Sequence, residues 1–165
     1  MRLFAVGFAV TATLLLIVEP AAAAAADPDR KVPYYASIAA GRARTRTGPA
    51  RTYPASWLYQ RADLPVKVVA IHKEWRKIAD PDGTEGWMQA NLMSATRTAI
   101  VRGGVPIDLR ARPSESAKLL WRAAPGVVGR LSQCANGWCL MDVKGQAGFV
   151  RVDALWGVDA DETLP

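Results

Sequence analysis

The sequence predicts an all-β protein built from two tandem copies of one small unit. Three observations predict it. Landmarks recur at a nearly constant offset: Pro49 and Pro113 lie 64 residues apart, Trp75 and Trp138 63, Trp87 and Phe149 62, which marks an internal repeat. The run "PVKVVAI" (65–71) is rich in β-branched residues, and "VPIDLRA" (105–111) alternates apolar and polar with period two, as strands do. Gly, Pro and Asp turns separate such runs every ~8–12 residues, the rhythm of a small sandwich or barrel, and about five short strands fit each copy. A unit of roughly 60 residues buries little core alone. One copy is therefore expected to pack on the other, across a short linker near Ala95–Gly104.

Along the chain, Arg2 precedes an uncharged apolar run, Leu3–Val18, that ends at Glu19-Pro20 and a series of alanines. This pattern reads as a signal peptide, residues 1–26, cleaved after Ala26. The run is shorter than the ~20 residues needed to span a bilayer, and no cysteine follows it for lipid attachment. The mature chain is expected to be exported, periplasmic or extracellular, with no stable membrane insertion after cleavage. Residues 27–37 and the acidic 159–165 read as flexible ends. Residues 38–97 and 98–158 read as the two copies. The stretch "RTYPASWLYQRAD" (51–63) fits either a strand after a long loop or a helical turn.

Beyond residue 26 there are 20 Lys and Arg against 14 Asp and Glu, and the excess is lopsided: +5 over residues 27–100 and +1 over 101–165. A basic surface attracts anionic partners. For an exported protein these are anionic glycan, phospholipid headgroups or acidic protein rather than nucleic acid.

The two cysteines lie in "CANGWC". Asn136-Gly137 is the favoured dipeptide of a two-residue type I′ hairpin turn. Such a turn sets Ala135 against Trp138 and Cys134 against Cys139. That pair is of the non-hydrogen-bonded kind, with Cα atoms about 4.5 Å apart, at the near edge of disulfide geometry. A structural disulfide between Cys134 and Cys139 is expected in an oxidising compartment. A redox motif would have two intervening residues instead of four, and a zinc site would need more ligands than two thiols and the lone His72.

The order Gly48-Pro49, Leu64-Pro65-Val66, Trp75-Arg76-Lys77-Ile78 and Asp82-Gly83-Thr84-Glu85-Gly86-Trp87 resembles the bacterial SH3-like domains, the Src-homology-3-like barrels of envelope proteins. "GTEGWM" and "GQAGFV" match the family's Gly-x-x-Gly-aromatic-apolar signature, and "GWC" with its upstream Cys resembles the cysteine-bearing variants. The resemblance covers nearly all of residues 38–158. It implies two tandem five-stranded SH3-like barrels acting as a non-catalytic binding module, for peptidoglycan or an envelope protein. The acidic loop and tyrosine-rich first strand of the eukaryotic relatives have no match, so polyproline recognition is not implied. The hydrolase domain fused to many bacterial members has no room in this chain.

Candidate binding residues follow from pattern. Arg42, Arg44 and Arg46 alternate with Ala43, Thr45 and Thr47, so in a strand they form one basic row, with Arg51 nearby; the plainer reading is a solvated strand face that discourages edge pairing. Trp75 and Ile78 lie three apart and point to opposite faces of a regular strand. With Ile78 in the core, Trp75 is expected to be partly exposed, as is Trp138 relative to Met141, and each offers an aromatic platform for sugar or peptide. The plainer alternative has them covering the barrel wall or the contact between copies. Trp57, Tyr59, Trp121 and Trp156 are expected to be packing residues, and His72 a surface residue. No nucleophile, base and orienting group stand in a recognisable pattern. The expectation is a protein that is not an enzyme, with no metal and no cofactor. It binds peptidoglycan or another anionic envelope glycan or, alternatively, serves as a protein-interaction adaptor for a periplasmic or secreted partner.

Overall fold

The computed structural model describes residues 27 and 29–165; the expected signal peptide lies outside the described residues. The first copy contains β1 (Tyr34–Ile38), β2 (Ala43–Arg46), β3 (Ala55–Tyr59), β4 (Pro65–His72), β5 (Trp75–Ala79), β6 (Glu85–Gln89) and β7 (Met93–Ser94), in the sheet order β3-β2-β6-β5-β4-β1-β7. The second contains β8 (Thr98–Val101), β9 (Ile107–Arg110), β10 (Leu119–Ala123), β11 (Val128–Ala135), β12 (Trp138–Val143), β13 (Gln146–Arg151) and β14 (Leu155–Trp156), in the matching order β10-β9-β13-β12-β11-β8-β14. A single 3-10 turn precedes each closing strand, at Ala90–Leu92 and Val152–Ala154. In the first copy every strand sends a side chain into one core, from Ile38 and Ala43 through Tyr59, Val66, Ile78 and Met88 to Met93. The second core is built likewise, from Val101 and Leu109 to Met141, Val150 and Leu155. A single sheet that supplies all sides of its own core must curl round on itself as a barrel.

Each copy has seven strands where about five were expected. The additional ones are the opening strand, paired on both sides (β1 with β4 and β7, β8 with β11 and β14), and the two-residue closing strand. The opening strands fall where the sequence reads as a loose end and as a linker. Tyr34–Ile38 is buried throughout, so the part of 27–37 from Tyr34 onward is a strand and not a flexible end. Thr98–Val101 is likewise strand, which shortens the link between the sheets to residues 95–97. The 51–63 stretch resolves into a loop followed by β3.

The acidic tail is also fastened. Cys134 and Leu164 exchange backbone hydrogen bonds, N to O 3.2 Å and 3.1 Å. Arg97 makes a fork-to-fork pair with Glu162, its Nη2 donating to Oε2 at 3.0 Å. Burial, and next the repulsion of Arg30, pull Arg97 below the ordinary arginine range.

The signature glycines have separate reasons. Gly83 and Gly145 sit at φ +84° and +89° in the turns between β5 and β6 and between β12 and β13, a backbone region that disfavours other residues. Gly86 and Gly148 lie where β2 and β9 cross closely. A Cβ at Gly86 would stand 2.6 Å from Thr45 Cβ, and one at Gly148 2.8 Å from Leu109 Cβ.

The Cys134–Cys139 disulfide is present, with Cα atoms 4.1 Å apart and Ala135 opposite Trp138. Asn136 and Gly137 both have positive φ, as a type I′ turn requires. The copies touch through Tyr35, whose ring meets Trp156 edge-on at 5.4 Å while Lys67 lies over its face at 4.8 Å. Lys67 also pairs with Asp159 at 3.5 Å.

Candidate functional site

Strand β2 alternates as its sequence predicts: Ala43 and Thr45 are buried, Arg44 is exposed and Arg46 half-buried. Arg42 and Arg51 flank the strand and are exposed. Among the described residues no ion pair or hydrogen bond engages the side chains of Arg42, Arg44 or Arg51. Arg46 differs. Its Nη1 donates to the Tyr53 carbonyl at 2.7 Å, holding the loop between β2 and β3. Arg110, its counterpart in the second copy, does the same to the Ala117 carbonyl at 2.9 Å. Arg46 is thus a loop fastener common to both barrels, and the free part of the basic row is Arg42 and Arg44, with Arg51 beside it.

The exposed aromatic next to this row is Trp57. It lies on the edge strand β3 opposite Thr45, so along the strand it alternates with Leu58, the residue opposite Arg44, and it is 54% exposed. Arg44, Ser56 and Trp57 line one shallow concavity, and Tyr53, 46% exposed, caps the adjoining loop. Trp57 and Trp121 were expected to pack, and neither does. Both sit on edge strands, where only one neighbour is present to cover them. Their recurrence at an offset of 64 residues, matching Pro49 and Pro113, was the available signal that they share a place on the surface.

Trp75 and Trp138 go the other way. Trp75 does point away from Ile78, but it is only 3% exposed. Directly opposed residues share a face, and Trp75 stands in a row between His72 and Gln89, its indole N–H directed at Glu74 Oε1, 3.2 Å away. Trp138, 9% exposed, stands in the matching row between Ala135 and Arg151, with the Arg151 guanidinium 5.7 Å from its ring centre. Alternation fixed the face of each tryptophan but not its burial.

The two rows still differ. In the first copy the His72 ring meets Trp87 edge-on at 6.5 Å. In the second the same positions hold Ala135 and Phe149, and an uncharged groove of about 420 Å³ opens, lined by Pro113, Gln133, Ala135, Asn136, Trp138 and Phe149. Trp138 therefore remains on a concave surface, whereas Trp75 offers no platform. The expected binding residues thus separate: Arg42, Arg44 and Arg51 exposed on and beside β2, with Arg44 sharing a shallow concavity with Trp57, and Trp138 in a groove on the other copy. Among the described residues no group of three or more His, Cys, Asp or Glu side chains is placed to hold a metal.

A family model described as a bacterial SH3 domain matches residues 39–94 and again 103–157. Among solved structures, the chain is similar to NlpC1 from Trichomonas vaginalis, at 10% identity and TM-score 0.35 over 79% of this chain and 48% of that one. It is also similar to an NlpC/P60 family protein from Bacillus cereus, at 14% identity and TM-score 0.33 over 74% and 55%. The chain spans about half the length of these proteins. No curated protein matches it.

Proposed function

Because the chain belongs to the bacterial SH3 domain family in two tandem copies, we propose that it is a non-catalytic binding module of the cell envelope, exported, whose first copy holds an anionic glycan of the peptidoglycan kind. The observation that carries this reading is the shallow concavity lined by Arg44 and the exposed ring of Trp57, with the exposed Arg42, Arg51 and Tyr53 on the same strand pair and its loop. Guanidinium groups without internal partners suit carboxylate or phosphate substituents, and an exposed indole gives a sugar ring a flat apolar surface. A disulfide-bearing barrel is at home in an oxidising compartment. The uncharged groove of the second copy supports a second reading, an adaptor that takes a segment of an envelope protein.

Co-sedimentation of residues 27–165 with purified peptidoglycan sacculi at low and moderate salt tests the glycan reading. Wild type pellets, and salt weakens it because the attraction is screened. Trp57→Ala and Arg42→Ala/Arg44→Ala each weaken pelleting at least about tenfold, the effect of losing an anchor worth ~1.4 kcal/mol or more, while Trp75→Phe pellets as wild type does. No pelleting at either salt, or pelleting indifferent to Trp57 and the arginines, overturns the reading and favours the adaptor.

A further inference from the structure

The loop at residues 61–63 of the first copy faces the start of β11 and the β12–β13 turn of the second, and together they enclose a cleft of about 460 Å³. Three cationic side chains line it, Arg61 from the first copy and Arg130 and Lys144 from the second, with the carboxylates of Asp63 and Asp142. Three cations against two carboxylates leave a net of +1. Both carboxylates are engaged: Asp63 lies 3.8 Å from Arg130 across the cleft, and Asp142 Oδ1 accepts the Gly145 N–H at 2.6 Å. Among the described residues, the side chains of Arg61 and Lys144 make no ion pair or hydrogen bond.

The repeat does not explain this cluster. By the register of the copies, the positions of Arg130 and Lys144 are held in the first barrel by Lys67 and Asp82. Lys67 is taken up by Tyr35 and Asp159, and Asp82 reverses the charge. The cationic cleft exists only where the second barrel carries these two residues and the first barrel places Arg61 beside them.

We propose that this cleft is an anion site formed by the tandem arrangement, which takes a phosphate group between the copies. Two guanidinium forks match the oxygens of a phosphate, Lys144 adds a point charge, and a dianion would reverse the net charge of the cleft. Such a ligand bonds to residues of both barrels and so ties them together. The site is separate from the basic face on β2 and β3, and its test does not depend on the glycan reading.

The experiment is a titration of residues 27–165 with inorganic phosphate at fixed ionic strength, followed by backbone amide NMR, with acetate as the carboxylate arm. Phosphate shifts the amides of Ala62, Gly129, Lys144 and Gly145 to saturation. Arg61→Ala/Lys144→Ala, both at exposed positions, weakens the apparent affinity about tenfold or more, and Arg112→Ala, an exposed arginine outside the cleft, leaves it unchanged. The proposal is overturned by shifts that never saturate, by shifts that persist in the cleft variant or vanish in the Arg112 variant, or by acetate binding as tightly as phosphate.

Discussion

In the first barrel Arg44 stands opposite Leu58; in the second the same two positions hold Asp108 and Arg122, whose charged groups lie 3.1 Å apart. Asp108 also pairs with Arg110 at 2.9 Å. The second barrel therefore neutralises internally the face that the first leaves cationic, which accounts for one of the four charges by which the first half of the chain exceeds the second. At the hairpin between the long strands the comparison runs the other way. The second barrel closes its hairpin with Cys134–Cys139, where the first has Ile71 opposite Arg76. The Arg76 guanidinium is fully buried and donates to the Lys73 carbonyl at 2.7 Å and the Asp27 carbonyl at 3.1 Å. What the copies share are the elements that fix the barrel: the glycines of the crossing, the 3-10 turn, and the arginine that fastens the loop after β2. What differs is surface and reinforcement. Core geometry tolerates little change, whereas exposed positions can change charge at small cost.

That comparison can be broken most strongly at the disulfide. Cys134→Ala/Cys139→Ala removes the constraint on a short loop and lowers stability by about 2 kcal/mol. Hydrogen exchange localises the loss to β11, β12 and the tail residues near Leu164, with the first barrel's hairpin unaffected. Equal acceleration in both barrels would mean that they unfold as one unit.

A smaller effect is expected at Tyr59. Its hydroxyl donates to Asp80 Oδ2 at 3.1 Å in the first barrel, where the second has Ala123 and Val143. Burial, then the charge of Asp80 and the hydrogen bond to it, push the Tyr59 hydroxyl well above the usual tyrosine range. A phenol whose pKa is raised in the folded state contributes fully below the unfolded value, near 10. Its contribution is lost as pH climbs from there through the folded value. Tyr59→Phe therefore costs about 1 kcal/mol at neutral pH and shows a shallower loss of stability above pH ~10, measured by urea denaturation across that range. An unchanged alkaline slope would remove Tyr59 from the account.

The smallest effect sharpens the groove comparison. His72→Ala and Ala135→His exchange the residues that distinguish the two aromatic rows, and each changes stability by less than ~1 kcal/mol. Fluorescence quenching of the tryptophans by a neutral quencher should rise in the first variant and fall in the second. No change in either would mean that His72 does not cover its row.

The sequence by itself determined a good deal. The repeat spacing gave two barrels, the Asn136-Gly137 turn with its flanking cysteines gave the disulfide, and alternation put Arg44 on the outer face and Trp75 on the face opposite Ile78. These follow from local rules, the two-residue period of a strand and the geometry of a short turn, so nearby residues suffice. Only the tertiary structure decided what covers each face. Trp75 is buried in its row between His72 and Gln89 on neighbouring strands, Trp57 is bare because β3 ends its sheet, and Arg46 is withdrawn by a carbonyl seven residues on. The opening strands were equally hidden, since Tyr34–Ile38 and Thr98–Val101 become strands by pairing with partners distant in the chain. Exposure depends on which strands adjoin and where the sheet stops, and neither is written in the period of any one strand.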